Sequence, residues 1–163
     1  MLKKIILLAG LLITQSSIAS LADKRQEILS QLIKIEKNVA EYQTKKFAVN
    51  DLSSEGGEIE IFYQKSIIKK IAMTILGETG KIQDTFYFDK GELFLCRSVE
   101  ERYQLTADGQ ISDDKKISKQ YYLFDNGDLI KPNAKTEASQ QYIKKGADKR
   151  SLLLEVLAKT LIR

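Results

Sequence analysis

Turn signals recur at short intervals between Glu58 and Ile130, and the residues between them alternate with period two. This combination constrains the fold more than any other feature. Parallel strands need crossovers of about a dozen residues or more, whereas tight turns join antiparallel neighbours directly. Ile59, Ile61 and Tyr63 alternate with Glu58, Glu60 and Phe62, and Gln64-Lys65-Ser66 then turns the chain. Ile67, Lys69, Ile71, Met73 and Ile75 mark a second strand, Ile82 to Phe88 a third and Leu93 to about Tyr103 a fourth. Ala107-Asp108-Gly109 is a further turn, and Lys119 to Phe124 with Leu129-Ile130 make a last hairpin. The expectation is an antiparallel β-meander of about five or six strands.

Two hairpins share the pattern Phe-Asp-x-Gly-acid-Leu, at Phe88 to Leu93 and at Phe124 to Leu129. Glycine supplies the positive φ of a tight hairpin, and Asn126-Gly127 is the strongest two-residue signal of this kind. A two-residue loop at Lys90-Gly91 sets Phe88 opposite Leu93 and Phe86 opposite Leu95, with Asp84 facing Arg97. It gathers Ile82, Phe86, Phe88, Leu93 and Leu95 on one face. A three-residue loop with a bulge moves Phe94 to that face instead.

Helical periodicity flanks the meander. Ile28, Leu29, Leu32, Ile35, Val39 and Tyr42 fall on one stripe of a helix expected from Asp23 to about Phe47, with Asp23 as N-cap and Gln26 as its partner. Beyond Pro132, Thr136 caps a helix through Tyr142 and Ile143, interrupted at Gly146. A second helical stretch from Asp148 or Ser151 carries Leu152, Leu153, Leu154, Val156, Leu157, Leu161 and Ile162. The whole reads as α+β, with the N-terminal helix and the C-terminal helices packed on one face of the sheet.

The first residues read as an export signal. Lys3 and Lys4 precede an apolar run from Ile5 to Ile13, and Ser17 and Ala19 have the spacing a signal peptidase accepts. Cleavage is expected after Ala19, or else after Ala22, which leaves residues 20–163 as a single domain. The run is about half the ~20 apolar residues needed to span a bilayer, so no transmembrane segment is expected after cleavage. The chain has 26 Lys and Arg against 22 Asp and Glu. Losing Lys3 and Lys4 leaves 24 against 22, a net charge of +2, which removes the main argument for nucleic acid as a partner.

The stretch Leu76-Gly77-Glu78-Thr79-Gly80-Lys81 superficially resembles a phosphate-binding loop, but the required first glycine is Ile75 and the required hydroxyl is Ile82. A strand comes after it where a helix N-terminus should receive the phosphates. It reads as a turn.

Catalytic sets are equally sparse. The chain has no histidine, which removes Ser-His-Asp and Cys-His chemistry and most zinc sites. Paired carboxylates remain conceivable among Asp84, Asp89, Glu92, Asp113, Asp114, Asp125 and Asp128, nearly all at turns. An EF-hand with Gly127 at its sixth position would need Tyr122, Phe124 and Asn126 as ligands, which fails. The lone Cys96, in the apolar run Leu93 to Cys96, reads as a small core side chain. No catalytic, cofactor-binding or metal-binding residue is expected. The strands are rich in aromatic residues, and Tyr87 and Tyr122 are the candidates for an outward contact surface.

Ser54-Glu55-Gly56-Gly57-Glu58-Ile59, Gly77-Glu78-Thr79-Gly80-Lys81, Phe86-Tyr87-Phe88 and Gly91-Glu92-Leu93 together resemble a pattern in small exported bacterial proteins of unknown function. The resemblance covers about a quarter of the chain and implies an exported α+β domain; it brings no catalytic or binding residue. The expected function is non-enzymatic binding in the periplasm or outside the cell, with another envelope protein or an envelope component as partner. The rival readings are an inhibitor of a secreted hydrolase, a carrier of apolar ligands and a carboxylate-dependent hydrolase.

Overall fold

A computed structural model describes residues 23–161, apart from Asp51, Ala107, Gly109, Asn133 and Ala134. The export signal expected over residues 1–19 lies outside the described residues. The chain divides into two units, residues 1–40 and 41–163.

In the first unit, residues 23–37 form helix α1. Ile28 and Ile35, two turns apart, are buried, while Leu29 and Ile33 are exposed. The helix stops well short of Phe47. Asn38 donates its N–H to the Ile35 carbonyl (3.2 Å), which tightens the last turn into the short 3-10 segment Val39–Glu41. Val39 and Tyr42 continue the helical spacing, but the chain leaves the helix before it can use them.

The second unit is a seven-stranded antiparallel sheet in strict sequence order, β1 to β7. Its strands are β1 (Gln43–Val49), β2 (Gly57–Gln64), β3 (Ile67–Gly77), β4 (Gly80–Asp89), β5 (Glu92–Leu105), β6 (Ile111–Asp125) and β7 (Asp128–Leu129). The meander is therefore one strand richer than the largest number expected. The extra strand is β1, which pairs with β2 from Gln43 opposite Tyr63 to Val49 opposite Gly57. Its first four residues are all exposed, as suits an edge strand. Only Phe47 and Val49, two apart, reach the core.

The hairpin chemistry works as the sequence implies. At Lys90-Gly91 and Asn126-Gly127 both central residues have positive φ, and Phe88 pairs with Leu93 as Phe124 pairs with Leu129. Glu78-Thr79 is a turn between Gly77 and Gly80, which face each other. A Cβ at Gly80 would lie 2.0 Å from the Glu101 carbonyl oxygen, so glycine is needed there for close approach to β5.

A bulge in β5 resets the register beyond the Lys90-Gly91 turn. Phe88 pairs with Leu93, but Tyr87 pairs with Leu95, so Phe94 is the extra residue and the register shifts by one. Phe86 then faces Cys96, Asp84 faces Ser98 and Thr85 faces Arg97. Because side chains alternate, Asp84 and Arg97 lie on opposite faces of the sheet instead of facing each other. Leu95 leaves the core face and Cys96 takes its place.

One helix closes the chain. Helix α2 (Glu137–Leu161) runs through Gly146 without a break, where two helical stretches were expected. Thr136 caps it, accepting the Ser139 N–H at its Oγ1 (3.2 Å). A Cβ at Gly146 would lie 2.8 Å from the Leu129 methyls and 3.0 Å from a Tyr122 ring carbon. Glycine weakens the helix by about 1 kcal/mol relative to alanine, and here it allows α2 to approach β6 and β7 closely. Tyr142, Gly146, Lys149, Leu153 and Val156 recur three or four apart and form the stripe over the sheet. Leu153 and Val156 join Ile59, Ile61, Ile71, Met73, Phe86, Phe88, Leu93, Cys96, Tyr122 and Phe124 in the core.

Candidate functional site

Two polar centres occupy the middle of the sheet, one on each face, in neighbouring rows of cross-strand pairs. The core-face row is Ile59, Met73, Asp84, Ser98 and Gln120, read from β2 to β6. Lys149 of α2 reaches down to it and donates from Nζ to Asp84 Oδ2 at 2.6 Å. The carboxylate side chain has no exposure and the lysine side chain 17%. Oδ1 of Asp84 has no hydrogen-bond partner among the described residues. A buried ion pair of this kind is weak evidence for net stability, but losing one partner strands the other charge.

The same centre perturbs its neighbours. Burial pushes the Cys96 thiol well above its ordinary range; the Asp84 charge adds to the shift and Lys149 partly offsets it. The fully buried, protonated thiol is no nucleophile at neutral pH. Tyr122 is raised to about 12, mainly by burial and then by Cys96 and Asp84. Its hydroxyl donates to Gln120 Oε1, and its ring packs against Tyr142 with centroids 5.2 Å apart. Tyr142 Oη in turn accepts the Leu123 N–H at 3.1 Å. This network ties α2 to the sheet and reaches the surface at the exposed Gln120.

The opposite face is built from the interleaving residues. Its central row runs Glu60, Ala72, Thr85, Arg97 and Tyr121. On one side lies the row Phe62, Lys70, Tyr87, Leu95 and Leu123, and on the other Glu58, Thr74, Gln83, Val99 and Lys119. Ala72 is the smallest side chain of the centre and stands between Glu60 and Thr85. A hollow of about 260 Å³ results, walled by Glu60, Phe62, Lys70, Thr85, Arg97 and Val99 among others. Lys70 lies over the Phe62 ring at 5.1 Å and the Tyr87 ring at 5.8 Å. Glu60 is held from the rim by Lys46 at 3.5 Å.

Arg97 is the unusual member. Its Nε is buried and has no hydrogen-bond partner among the described residues. An unsatisfied buried donor costs about 1–3 kcal/mol, more when the group is charged. The bulge at Phe94 is the direct cause, because it turns Arg97 away from Asp84 and towards the hollow.

The residues singled out by sequence fall elsewhere. Tyr87 and Tyr122 are fully buried and lie on opposite faces, so neither is presented outward and together they form no surface. Tyr121, next to Tyr122 and directly opposite Arg97, is the exposed ring on the outer face. Of the candidate carboxylates, Asp84 is buried against Lys149, whereas Glu92, Asp114, Asp125 and Asp128 are exposed at or near turns and strand ends. Among the described residues no group of three or more Cys, Asp or Glu could hold a metal ion. Arg97 escapes sequence reasoning because an unbulged hairpin pairs it with Asp84. Lys149 is legible as a lone cation at a core position of the α2 stripe.

No helix of the described residues is long and apolar enough to cross a membrane. Compared with family models, curated proteins and solved structures, the chain has no match.

Proposed function

We propose that this chain is an exported, non-enzymatic binding protein of the bacterial envelope, periplasmic or secreted, and that it binds through the hollow on the outer face of its sheet. The observation that carries the reading is Arg97, a cation with an unsatisfied buried Nε at the wall of a concave site. Export is supported by the basic start, the apolar run and the Ser17–Ala19 spacing. The absence of histidine from the sequence and the inert burial of Cys96 support binding over catalysis. The size of the hollow favours a small envelope component over another protein. The close contact at Gly146 argues against an apolar ligand held between α2 and the sheet.

A ligand that binds only the folded state raises the unfolding temperature by mass action. The test is thermal unfolding in the presence of small-molecule fractions of envelope extract, with Ala72→Leu as the variant that fills the hollow. The wild type should be stabilised by at least one fraction and the variant by none. Equal stabilisation of both, or of neither, refutes the reading.

A further inference from the structure

We infer that the ligand of the hollow is a small organic carboxylate with a flat apolar body, its carboxylate received by Arg97. This rests on the reading that the hollow is the binding site. A planar guanidinium presents paired N–H donors whose geometry matches a carboxylate in two-point contact. The Arg97 fork lacks any such partner at Nε among the described residues. Phosphate also suits arginine, but it brings close to two negative charges into a site whose far wall is the Glu60 carboxylate. Lys70 is already engaged by the Phe62 and Tyr87 rings, which leaves Arg97 as the principal anion receptor. A single negative charge is the better match.

The rest of the site sets the body of the ligand. About 260 Å³ is room for on the order of nine water molecules, below the span of drug-sized pockets. Val99 and Phe62 supply apolar wall for a flat group, and the exposed Tyr121 ring flanks Arg97 on the side away from the hollow. The Thr85 hydroxyl, on the strand position facing Arg97, is a donor or acceptor for a second polar atom.

Benzoate and its neutral isostere benzamide are the probes, added to the expressed protein while the Arg97 Nε–Hε signal is followed by NMR. For a fragment of this size a Kd on the order of 1 mM is expected. Benzoate should move the signal saturably, benzamide should bind at least about tenfold more weakly, and Arg97→Gln should lose benzoate affinity by a similar factor. Arg97→Lys, which keeps the charge but not the fork, should fall between. If benzoate leaves the signal unmoved, or benzamide binds as tightly, the carboxylate assignment is wrong. The envelope-fraction experiment then decides the other question separately: stabilisation that depends on Ala72 preserves the hollow as a binding site, and its absence removes both claims.

Discussion

The two faces of the sheet solve the same electrostatic problem in opposite ways. On the face under α2, Asp84 is stripped of water and Lys149 is brought to within 2.6 Å of it. One residue row away, on the other face, Arg97 has a buried Nε that meets no acceptor among the described residues. The difference suits the two roles assigned to these residues: the cation that closes the fold is paired from within, and the cation of the proposed binding site keeps a donor for something from outside.

The largest effect that would expose this difference is expected from Lys149→Met. It leaves Asp84 buried and unpaired, and should cost about 3 kcal/mol, or roughly 10 °C in Tm. The paired replacement Asp84→Leu with Lys149→Met should recover most of that loss, since an apolar pair of similar volume carries no desolvation penalty. Urea or thermal unfolding reads both. A single variant as stable as the wild type would mean that the pair is solvated and the two faces do not differ as argued.

Next in size is the response of the core face to alkaline pH. Tyr122 and Cys96 both have raised pKa values in the fold, so the folded state holds their protons more tightly than the unfolded chain. Their contribution is complete below about pH 7.5, where both groups are protonated in both states. It is lost as pH rises, with the Tyr122 share disappearing between about pH 10 and 12. Tyr122→Phe should remove that share, up to about 2 kcal/mol of the slope in denaturation free energy over this window. An unchanged slope would place the phenol in contact with water.

How much of this can be read from sequence depends on the same division between local and non-local causes. Hairpins are legible because Lys90-Gly91 and Asn126-Gly127 carry their own turn geometry. The edge strand β1 is not, because Gln43 to Lys46 face water without alternation and Val39 and Tyr42 mimic helical spacing. Gly146 reads as a helix break because its reason, the approach of Leu129 and Tyr122, lies in the tertiary packing. From sequence, a bulge at Phe94 is expected only with a longer loop. It goes with a side-chain contact and not with a turn residue: Phe94 packs in a tilted arrangement on Tyr87 across the same hairpin, at 6.3 Å. A single unread residue there reverses the face of Arg97, and the candidate site goes with it.

On the outer face the sign of the effect should reverse. Arg97→Met removes a buried donor that lacks a partner, so stability should hold or rise by up to about 1 kcal/mol in the absence of ligand. The same change on the core face, at Lys149, is the most damaging proposed. Opposite signs for two cation-to-methionine substitutions, measured side by side by chemical denaturation, are the sharpest form of the comparison. A loss at Arg97 close to that at Lys149 would mean that the guanidinium is held by the fold after all.

The smallest effect tests whether pairing alone, without burial, decides the outcome. Lys46 and Glu60 form an ion pair of the same chemical kind as Lys149 and Asp84, but at 3.5 Å and with side chains 57% and 23% exposed. Water screens such a pair, and holding two long side chains in one geometry costs entropy. Lys46→Ala should therefore change unfolding free energy by less than about 0.5 kcal/mol, which replicate urea titrations can bound. Its consequence falls on the proposed binding site, since Glu60 then repels an anion in the hollow with one cation fewer beside it. Benzoate affinity should fall about twofold, and more at low ionic strength than at high, because screening lengths contract from about 30 Å at 0.01 M to about 10 Å at 0.1 M. A stability loss comparable to that of Lys149→Met would show that pairing, not desolvation, sets the energetics on both faces.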